Sequence, residues 1–240
     1  MENQKLHNHD IQETRLQDTV LKLVQIDSES RNERAVADYL KDRLETLGYT
    51  VKEDNAGAHI GGNAGNVIAY HEGTGTGKSL LFCAHMDTVA PGNGVTPIVE
   101  DGVVHSDGTT VLGGDDKAGI AAILEALTVM HENNIAHGPV QVVFTVAEEV
   151  GLLGAKHLAL EELKPVDAAF FFDSDGMPNK ICVASPYHID LTAKFYGKAS
   201  HAGVEPEKGI SAVQMAAKAI SAMQLGRLDE ETTANIGIIQ

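Results

Sequence analysis

The chain has 240 residues, of which 43% are hydrophobic and 22% are charged, and this composition excludes a disordered or fibrous protein. At about 150 residues per domain, the length accommodates one to two domains with a buried core. Lysine and arginine total 18 against 34 aspartates and glutamates, so the net charge is −16 and we expect neither nucleic acid nor an anionic membrane surface as partner. No stretch reaches the roughly 20 apolar residues of a membrane span, and residues 1–17 lack the apolar core of a secretion signal. These features predict a cytoplasmic protein.

The first part of the chain alternates helical patterns with short apolar strands. Two helical patterns come first, and the second has Ser30 and Glu33 at the spacing of a capping box and Gly48 at its C-terminal end. Asp101-Gly102, between two apolar-rich arms, predicts a β-hairpin. We predict further strands at residues 49–52, 66–70, 79–84, 140–146 and 168–172, and further helices at 116–133 and 152–163. This alternation indicates an α/β fold whose mixed, mostly parallel sheet is covered by helices on both faces.

The pattern changes beyond residue 185. A strand of alternating polarity is predicted at residues 187–196, a helix at 210–224 and a β-like stretch at 233–239. We therefore predict a first domain at residues 1–185 and a smaller α+β domain, of which residues 186–240 form the start.

Acidic and imidazole side chains follow three of the predicted strands and precede one predicted helix. In open α/β sheets, ligands bind beyond the carboxyl ends of the strands, so these groups are expected to converge on one crevice. In chain order they are His85, Asp87, Asp115, Asp116, Glu148, Glu149 and Asp173.

Several carboxylates in one crevice repel one another unless a cation lies among them. An imidazole with several carboxylates suits Zn²⁺, and two metals about 3.5–4 Å apart form a recurring hydrolytic device. Asp87 lies two residues after His85, on the same side of an extended chain, and can hold the second nitrogen of that imidazole. Glu148 and Glu149 are adjacent and point differently, which suits one ligand and one base. Taken singly, such residues are more often solvated surface groups, but their common position favours a metal site.

Five segments carry a resemblance to a known family. They are AHMDTV at residues 84–89, LGGDDKAG at 112–119, VAEEVGLLGA at 146–155, FFDSDG at 171–176 and GKASHAGVEPEKGISA at 197–212. In this order they resemble the dinuclear zinc metallopeptidases that include peptidase T, carboxypeptidase G and succinyl-diaminopimelate desuccinylase, and DDKAG with DSDG is most similar to the peptidase T branch. The resemblance implies a zinc exopeptidase-like catalytic domain at residues 1–185, followed by a lid or dimerisation domain.

The resemblance also implies two Zn²⁺ ions, with Co²⁺ or Mn²⁺ as alternatives. Asp115 is preferred to Asp116 as the bridging residue because the family's bridge lies two positions before the lysine of this motif, and a cis peptide often follows it. Asp175 is less favoured than the first aspartate of DSDG, which directly follows the strand. A last histidine ligand is expected beyond Gln240, so the 240-residue chain is expected to lack part of the site. The implied ligands are His85 and Asp173 on one metal, Glu149 on the other, and Asp115 between them.

Three residues receive catalytic roles by the same resemblance. Glu148 is the general base, and Asp87 orients His85. His201, in the SHAG segment, corresponds to a lid histidine that stabilises the oxyanion in the active site of a dimer partner. The alternative role of His201 is to hold the turn of its own loop.

The activity implied is that of a cytoplasmic tripeptide aminopeptidase, which releases the N-terminal residue of short peptides and forms a homodimer through the lid domain. A dipeptidase, a carboxypeptidase and an N-acyl amino-acid deacylase of the same family stay open as alternatives. A non-catalytic, metal-binding or dimerising fragment is the alternative from a different functional class.

Overall fold

The computed structural model describes residues 11–174, 176–177, 179–184 and 187–240, and the chain divides into two compact units. The first unit ends at Gly176, and the second comprises Met177–Gln240. The domain boundary predicted between residues 185 and 186 falls outside the described residues and stays a prediction.

Strands and helices alternate along the first unit. Its strands are β1 (Thr50–Glu53), β2 (Val67–His71), β3 (Leu80–His85), β4 (Pro97–Glu100), β5 (Val103–Ser106), β6 (Val140–Thr145) and β7 (Ala168–Phe171). Its α-helices are α1 (Glu13–Val24), α2 (Arg34–Thr46), α3 (Ala56–Ile60), α4 (Lys117–Glu132) and α5 (Leu153–Lys156). The main sheet has the order β1-β2-β6-β3-β7, in which β3 is parallel to β6 and β7, and β2 is antiparallel to its neighbours. The predicted mixed sheet with mostly parallel central strands is confirmed.

Side chains of β6 alternate between two apolar layers. Val142 and Phe144 pack with buried side chains of α1, α2 and α4 on one face of the sheet. Val143, between them, faces the other way and packs with Leu81 and Cys83 of β3. Every residue of β6 is buried, so this strand lies at the centre of the sheet and is covered on both faces.

Two predicted turns depend on left-handed backbone. Gly48 has φ 85° just after α2 ends, as expected for a glycine that terminates a helix. Asp101 and Gly102, with φ 50° and 79°, join β4 to β5 in a two-residue hairpin. Both turn predictions are confirmed.

The capping box predicted at Ser30 and Glu33 is wrong. Helix α2 begins at Arg34, and Glu33 provides no side-chain hydrogen bond to its N-terminus. The Ser30 hydroxyl instead donates to Asp87 Oδ2 at 2.7 Å, and Glu33 Oε1 accepts the Ala147 N–H at 2.9 Å. The connection between α1 and α2 therefore contacts the loops that follow β3 and β6. These hydrogen bonds to distant residues replace the local capping contacts that the sequence pattern predicted.

The second unit contains α6 (Ala212–Ala222) and a short antiparallel pair, β8 (Gly226–Arg227) and β9 (Thr233–Ala234). The hydroxyl of Ser211 caps α6 by accepting the Gln214 N–H at 3.1 Å. Within the described part of the chain, no helix combines the length and apolarity that crossing a membrane requires.

Three predicted elements are shorter than expected or absent. The helix predicted at residues 152–163 is reduced to α5 and a 3₁₀ turn, because the Ala159 N–H donates to Asp54 Oδ2 instead of to a helical carbonyl oxygen. Residues 187–196 form no strand in the described part of the chain, and the stretch at 233–239 is reduced to β9. The backbone N–H and C=O groups of an extended segment need a neighbouring strand as their hydrogen-bond partner. The alternation of polarity along one segment does not show whether such a neighbour is present.

Glu53 connects β1 to α2 through an ion-pair cluster. It accepts hydrogen bonds from the side chains of Arg34 and Lys41 and from the Gly65 N–H. Burial raises the pKa of Glu53, but these donors outweigh it and lower the pKa to about 2. Because the folded-state pKa lies below the ordinary value of 4.5, the carboxylate stabilises the fold above pH 4.5 and loses this effect as the pH falls toward 2.

We expect Glu53→Gln to lower the free energy of unfolding by about 1 kcal/mol near neutral pH, the upper end for partly exposed ion pairs. The variant should also lose part of the acid dependence of stability that the carboxylate provides. Urea unfolding at neutral pH and in mild acid measures both effects. An identical pH dependence in the two proteins would contradict the stabilising role of this cluster.

Candidate metal centre

The carboxyl ends of three parallel strands meet at one edge of the sheet. His85, the last residue of β3, pairs with Thr145 at the end of β6. Cys83 of β3 pairs with Phe171 at the end of β7. The segments that follow these strands therefore leave the sheet side by side, and they carry most of the acidic residues predicted for the site.

His85 is buried, with 2% of its side chain exposed, and its two ring nitrogens face different partners. Nδ1 lies 3.0 Å from the main-chain oxygen of Asp87, and because a carbonyl oxygen only accepts, Nδ1 carries the proton. Nε2 lies 3.2 Å from Asp115 Oδ1 and 3.9 Å from Glu148 Oε2. In the neutral imidazole, Nε2 is thus the nitrogen able to bind a metal among the carboxylates.

Two groups of potential ligand atoms share His85. Within each group, the ligand atoms all lie within 4.8 Å of one another. Imidazole and carboxylate are the donors that Zn²⁺ and similar divalent cations bind. The structure therefore brings together the four side chains predicted as ligands and the one predicted as base. The first group is His85, Asp115 and Glu149, and the second is His85, Glu148 and Asp173.

Asp115 and Asp116 precede α4 and have different surroundings. The Asp115 side chain is 71% exposed and faces His85, whereas Asp116 is 3% exposed and its Oδ2 has no hydrogen-bond partner among the described residues. Burial raises the pKa of Asp116 to about 7; Asp173 and Asp115 add to the rise, and His85 opposes it. The peptide bond between the two aspartates is cis, as the resemblance implied.

The cluster carries more negative charge than one imidazole balances. Burial raises the pKa values of Glu148 and Glu149, and the neighbouring carboxylates raise them further against the opposing effect of His85. Burial lowers the pKa of His85, but the surrounding aspartates outweigh it and raise that pKa to about 9. A divalent cation relieves such crowding of carboxylates, so the donor set fits a metal centre.

Asp87 is fully buried and connects the imidazole to the pair of glutamates. Its Oδ1 accepts the Glu148 N–H at 2.9 Å, and its Oδ2 accepts the Glu149 N–H at 3.2 Å and the Ser30 hydroxyl at 2.7 Å. Burial raises the pKa of Asp87, but hydrogen bonds from His85, Ser30 and Glu148 outweigh it and lower the pKa. Asp87 therefore contacts the imidazole through its main-chain oxygen at 3.0 Å and holds the backbone of both glutamates through its ionised carboxylate, whose Oδ1 lies 3.5 Å from His85 Nδ1.

Residues 66–221 match peptidase family M28. The chain belongs to this family. The match covers more than half of the 240 residues and includes all members of both ligand groups. The acidic residues that meet at one edge of the sheet therefore all lie within the region that matches family M28.

Curated relatives of this M28 chain include peptidases. It is 51% identical over 227 residues to the uncharacterized protein YqjE of Bacillus subtilis, covering 95% of this chain and 61% of YqjE. It is 30% identical over 203 residues to carboxypeptidase G2 of Pseudomonas sp., covering 81% of this chain and 47% of that enzyme. Peptidase T of Haemophilus influenzae is 30% identical over 140 residues, or 58% of this chain and 33% of that protein. The predicted resemblance to peptidase T and carboxypeptidase G is confirmed.

Two solved structures share the fold of the M28 chain closely. They are a tripeptidase of Staphylococcus aureus and the aminopeptidase PepT of Bacillus cereus, each with a TM-score of 0.81 and 43% sequence identity. Each comparison covers 95% of this chain and 61% of the solved chain. The chain thus spans less than two thirds of the length of these proteins.

Asp175 and His201 were also considered for the site. Asp175 falls outside the described residues. His201 lies in the second unit, where its Nδ1 accepts the Gly203 N–H at 3.2 Å and its main-chain oxygen accepts the N–H groups of Val204 and Glu205. These contacts fit the alternative in which His201 holds the turn of its own loop. The role in stabilising an oxyanion stays a prediction.

Three side chains that hold the loops of this M28 site were not predicted from the sequence. Ser30 and Glu33 carried a helix-capping signal, and Asn66 was assigned only to the start of a strand. Asn66 is fully buried; its amide donates to the Gly154 carbonyl at 2.9 Å and its Oδ1 accepts the Val146 N–H at 3.1 Å. A polar residue at the start of an otherwise apolar strand was the available signal for Asn66.

Proposed function

We propose that the complete product of this gene is a metal-dependent exopeptidase that releases the N-terminal residue of short peptides, tripeptides above all. The observation that carries the proposal is the pair of ligand groups that share His85 at one sheet edge. The similarity to a tripeptidase and to the aminopeptidase PepT, at 43% identity, supports the peptide substrate and the direction of cleavage.

We assign two Zn²⁺ ions to the site, with Co²⁺ or Mn²⁺ as alternatives. His85 and Asp173 would hold one ion, Glu149 would hold the other, and Asp115 would bridge them. The bridging assignment is supported by the exposed position of the Asp115 carboxylate, which faces His85 Nε2 at 3.2 Å. When bound, Zn²⁺ supplies Lewis-acid activation of water and of the scissile carbonyl.

We assign Glu148 the role of general base, which takes a proton from the attacking water and passes it to the leaving amine. Its side chain is partly exposed and lies in the same ligand group as His85 and Asp173. Burial raises the pKa of Glu148 and the neighbouring carboxylates add to the rise against the effect of His85, and a raised pKa suits a general base. Its backbone N–H is held by Asp87, so the side chain extends from a fixed point.

The assembly and location of the protein are part of the same proposal. We propose a cytoplasmic homodimer that forms through the second unit, in which His201 stabilises the oxyanion in the partner's site. Sedimentation of the complete protein over a range of concentrations tests the dimer, and His201→Ala should then lower kcat only in the dimeric form.

Turnover of free and blocked peptides tests the specificity. We expect the zinc-loaded complete protein to hydrolyse free and C-amidated tripeptides and to reject N-acetylated ones, because an aminopeptidase requires the free amine. Mass spectrometry of the products identifies the residue released. Hydrolysis of N-acetylated but not of C-amidated peptides would overturn the proposal in favour of a carboxypeptidase or a deacylase.

A carboxypeptidase is the alternative with specific support, because carboxypeptidase G2 is 30% identical over 81% of this chain. The non-catalytic alternative predicts bound zinc without turnover of any of these peptides. Assaying the 240-residue chain beside the complete gene product shows whether residues 1–240 contain a sufficient site.

A further inference from the structure

The acidic turn, residues 146–149, has each of its backbone N–H groups held by a buried side chain from a distant part of the chain. The first N–H donates to Asn66 Oδ1 at 3.1 Å and the second to Glu33 Oε1 at 2.9 Å. The third and fourth donate to the two carboxylate oxygens of Asp87, at 2.9 and 3.2 Å. These tertiary contacts hold the N–H groups of the turn, whereas the carbonyl oxygens of residues 146–148 accept local hydrogen bonds from the N–H groups of residues 151–154.

Glu33 has no role in the proposed chemistry and is the ionisable member of this set besides Asp87. Its side chain is fully buried, its Oε1 also accepts the Arg31 N–H at 2.8 Å, and its Oε2 has no hydrogen-bond partner among the described residues. A buried polar atom without a hydrogen-bond partner loses its hydration and gains nothing in exchange. A carboxyl group at this position therefore destabilises the fold unless its contacts compensate. Those contacts are the hydrogen bonds that it accepts from the N–H groups of Arg31 and Ala147.

The residue that Glu33 holds has an unfavourable backbone conformation. Ala147 has φ 50°, in the left-handed region that disfavours any residue with a Cβ, and it directly precedes Glu148. A return of Ala147 to an ordinary φ would change the directions of Glu148 and Glu149. The hydrogen bond from Ala147 to Glu33 opposes that change.

We propose that Glu33 is a positioning residue for the acidic turn, whose carboxyl holds Ala147 in the left-handed conformation and thereby directs Glu148 and Glu149 toward the metal centre. The proposal rests on the proposed function for the roles of the two glutamates. Asp87 holds the same turn from the side of the imidazole, and Glu33 holds it from the connection between α1 and α2.

Glu33→Asp and Glu33→Gln separate this role from general packing. Glutamine keeps an acceptor oxygen at the same distance from the backbone, whereas aspartate withdraws it by one carbon. In the zinc-loaded complete protein, we expect Glu33→Asp to lower kcat by about 10–100-fold with KM nearly unchanged, since small misplacements of reacting groups have effects of this size. Hydrogen exchange at residues 146–149 should accelerate in the same variant. Glu33→Gln should match the wild type in both measurements.

Glu125→Asp is the matched control. Glu125 is also a buried carboxylate, but it accepts hydrogen bonds from Arg15 and from the Gln12 N–H, neither of which is in the acidic turn. The same one-carbon shortening there should lower Tm without changing kcat or exchange at the turn.

Several outcomes would overturn the positioning role. Wild-type kcat and wild-type exchange in Glu33→Asp would do so, as would a Glu33→Gln variant with the same defects as Glu33→Asp. Failure of both variants to fold would assign Glu33 to the stability of the core instead. If the wild-type protein shows no peptide turnover, the proposed function fails, and hydrogen exchange at the turn then decides the role of Glu33 independently.

Discussion

Glu148→Gln is expected to lower kcat by about 10²–10⁴-fold in the complete zinc-loaded protein, the range that a general base contributes. Glutamine has nearly the shape of glutamate but cannot take up the proton of the attacking water. Because we assign Glu148 no metal, zinc content and Tm should stay at the wild-type level. Steady-state kinetics and metal analysis of the same preparation measure both quantities.

Glu149→Gln is the matched control, since it makes the same chemical change at the neighbouring residue. Glu149 is assigned as a ligand, so this variant should lose zinc together with activity. The comparison is needed because Glu148 also lies in a ligand group with His85 and Asp173. Loss of zinc from Glu148→Gln would make Glu148 a ligand, and near-normal turnover would refute its role as base.

Asp115→Ala is expected to abolish turnover and to remove both zinc ions, because a bridging carboxylate is a ligand to each of them. The Asp115 side chain is largely exposed, so its removal should cost little stability. Metal content by mass spectrometry and Tm by calorimetry test the two expectations on one sample. Retention of one zinc ion per chain would show that Asp115 is a terminal ligand, and full occupancy would rule it out as a ligand.

Asp107→Ala is the control for the loss of one negative charge. Asp107 is exposed, and its carboxylate accepts hydrogen bonds from Thr109 within its own turn. This variant should keep the wild-type zinc content and kcat. A similar loss of zinc from Asp107→Ala would indicate that net charge, rather than a bridging ligand, controls metal binding.

The central sheet and the position of the site could be predicted because both depend on local patterns. The continuous apolar run of β6 indicated a strand buried on both faces, and the polar residues directly after β3, β6 and β7 marked one edge of the sheet. The helix predicted at residues 152–163 is shorter in the structure because the Ala159 N–H donates to Asp54 Oδ2, and apolar spacing alone does not reveal such a distant partner.

The sequence by itself determined the strands of the main sheet and the residues that could bind a metal, since periodicity and side-chain chemistry are properties of short segments. Only the tertiary structure decided that Asp115 faces His85 while Asp116 is buried, and that Glu33 contacts Ala147 rather than capping α2. Such partners are separated by tens of residues or more along the chain. Their hydrogen bonds exist only once the sheet has brought its loops together, and no local pattern encodes that geometry.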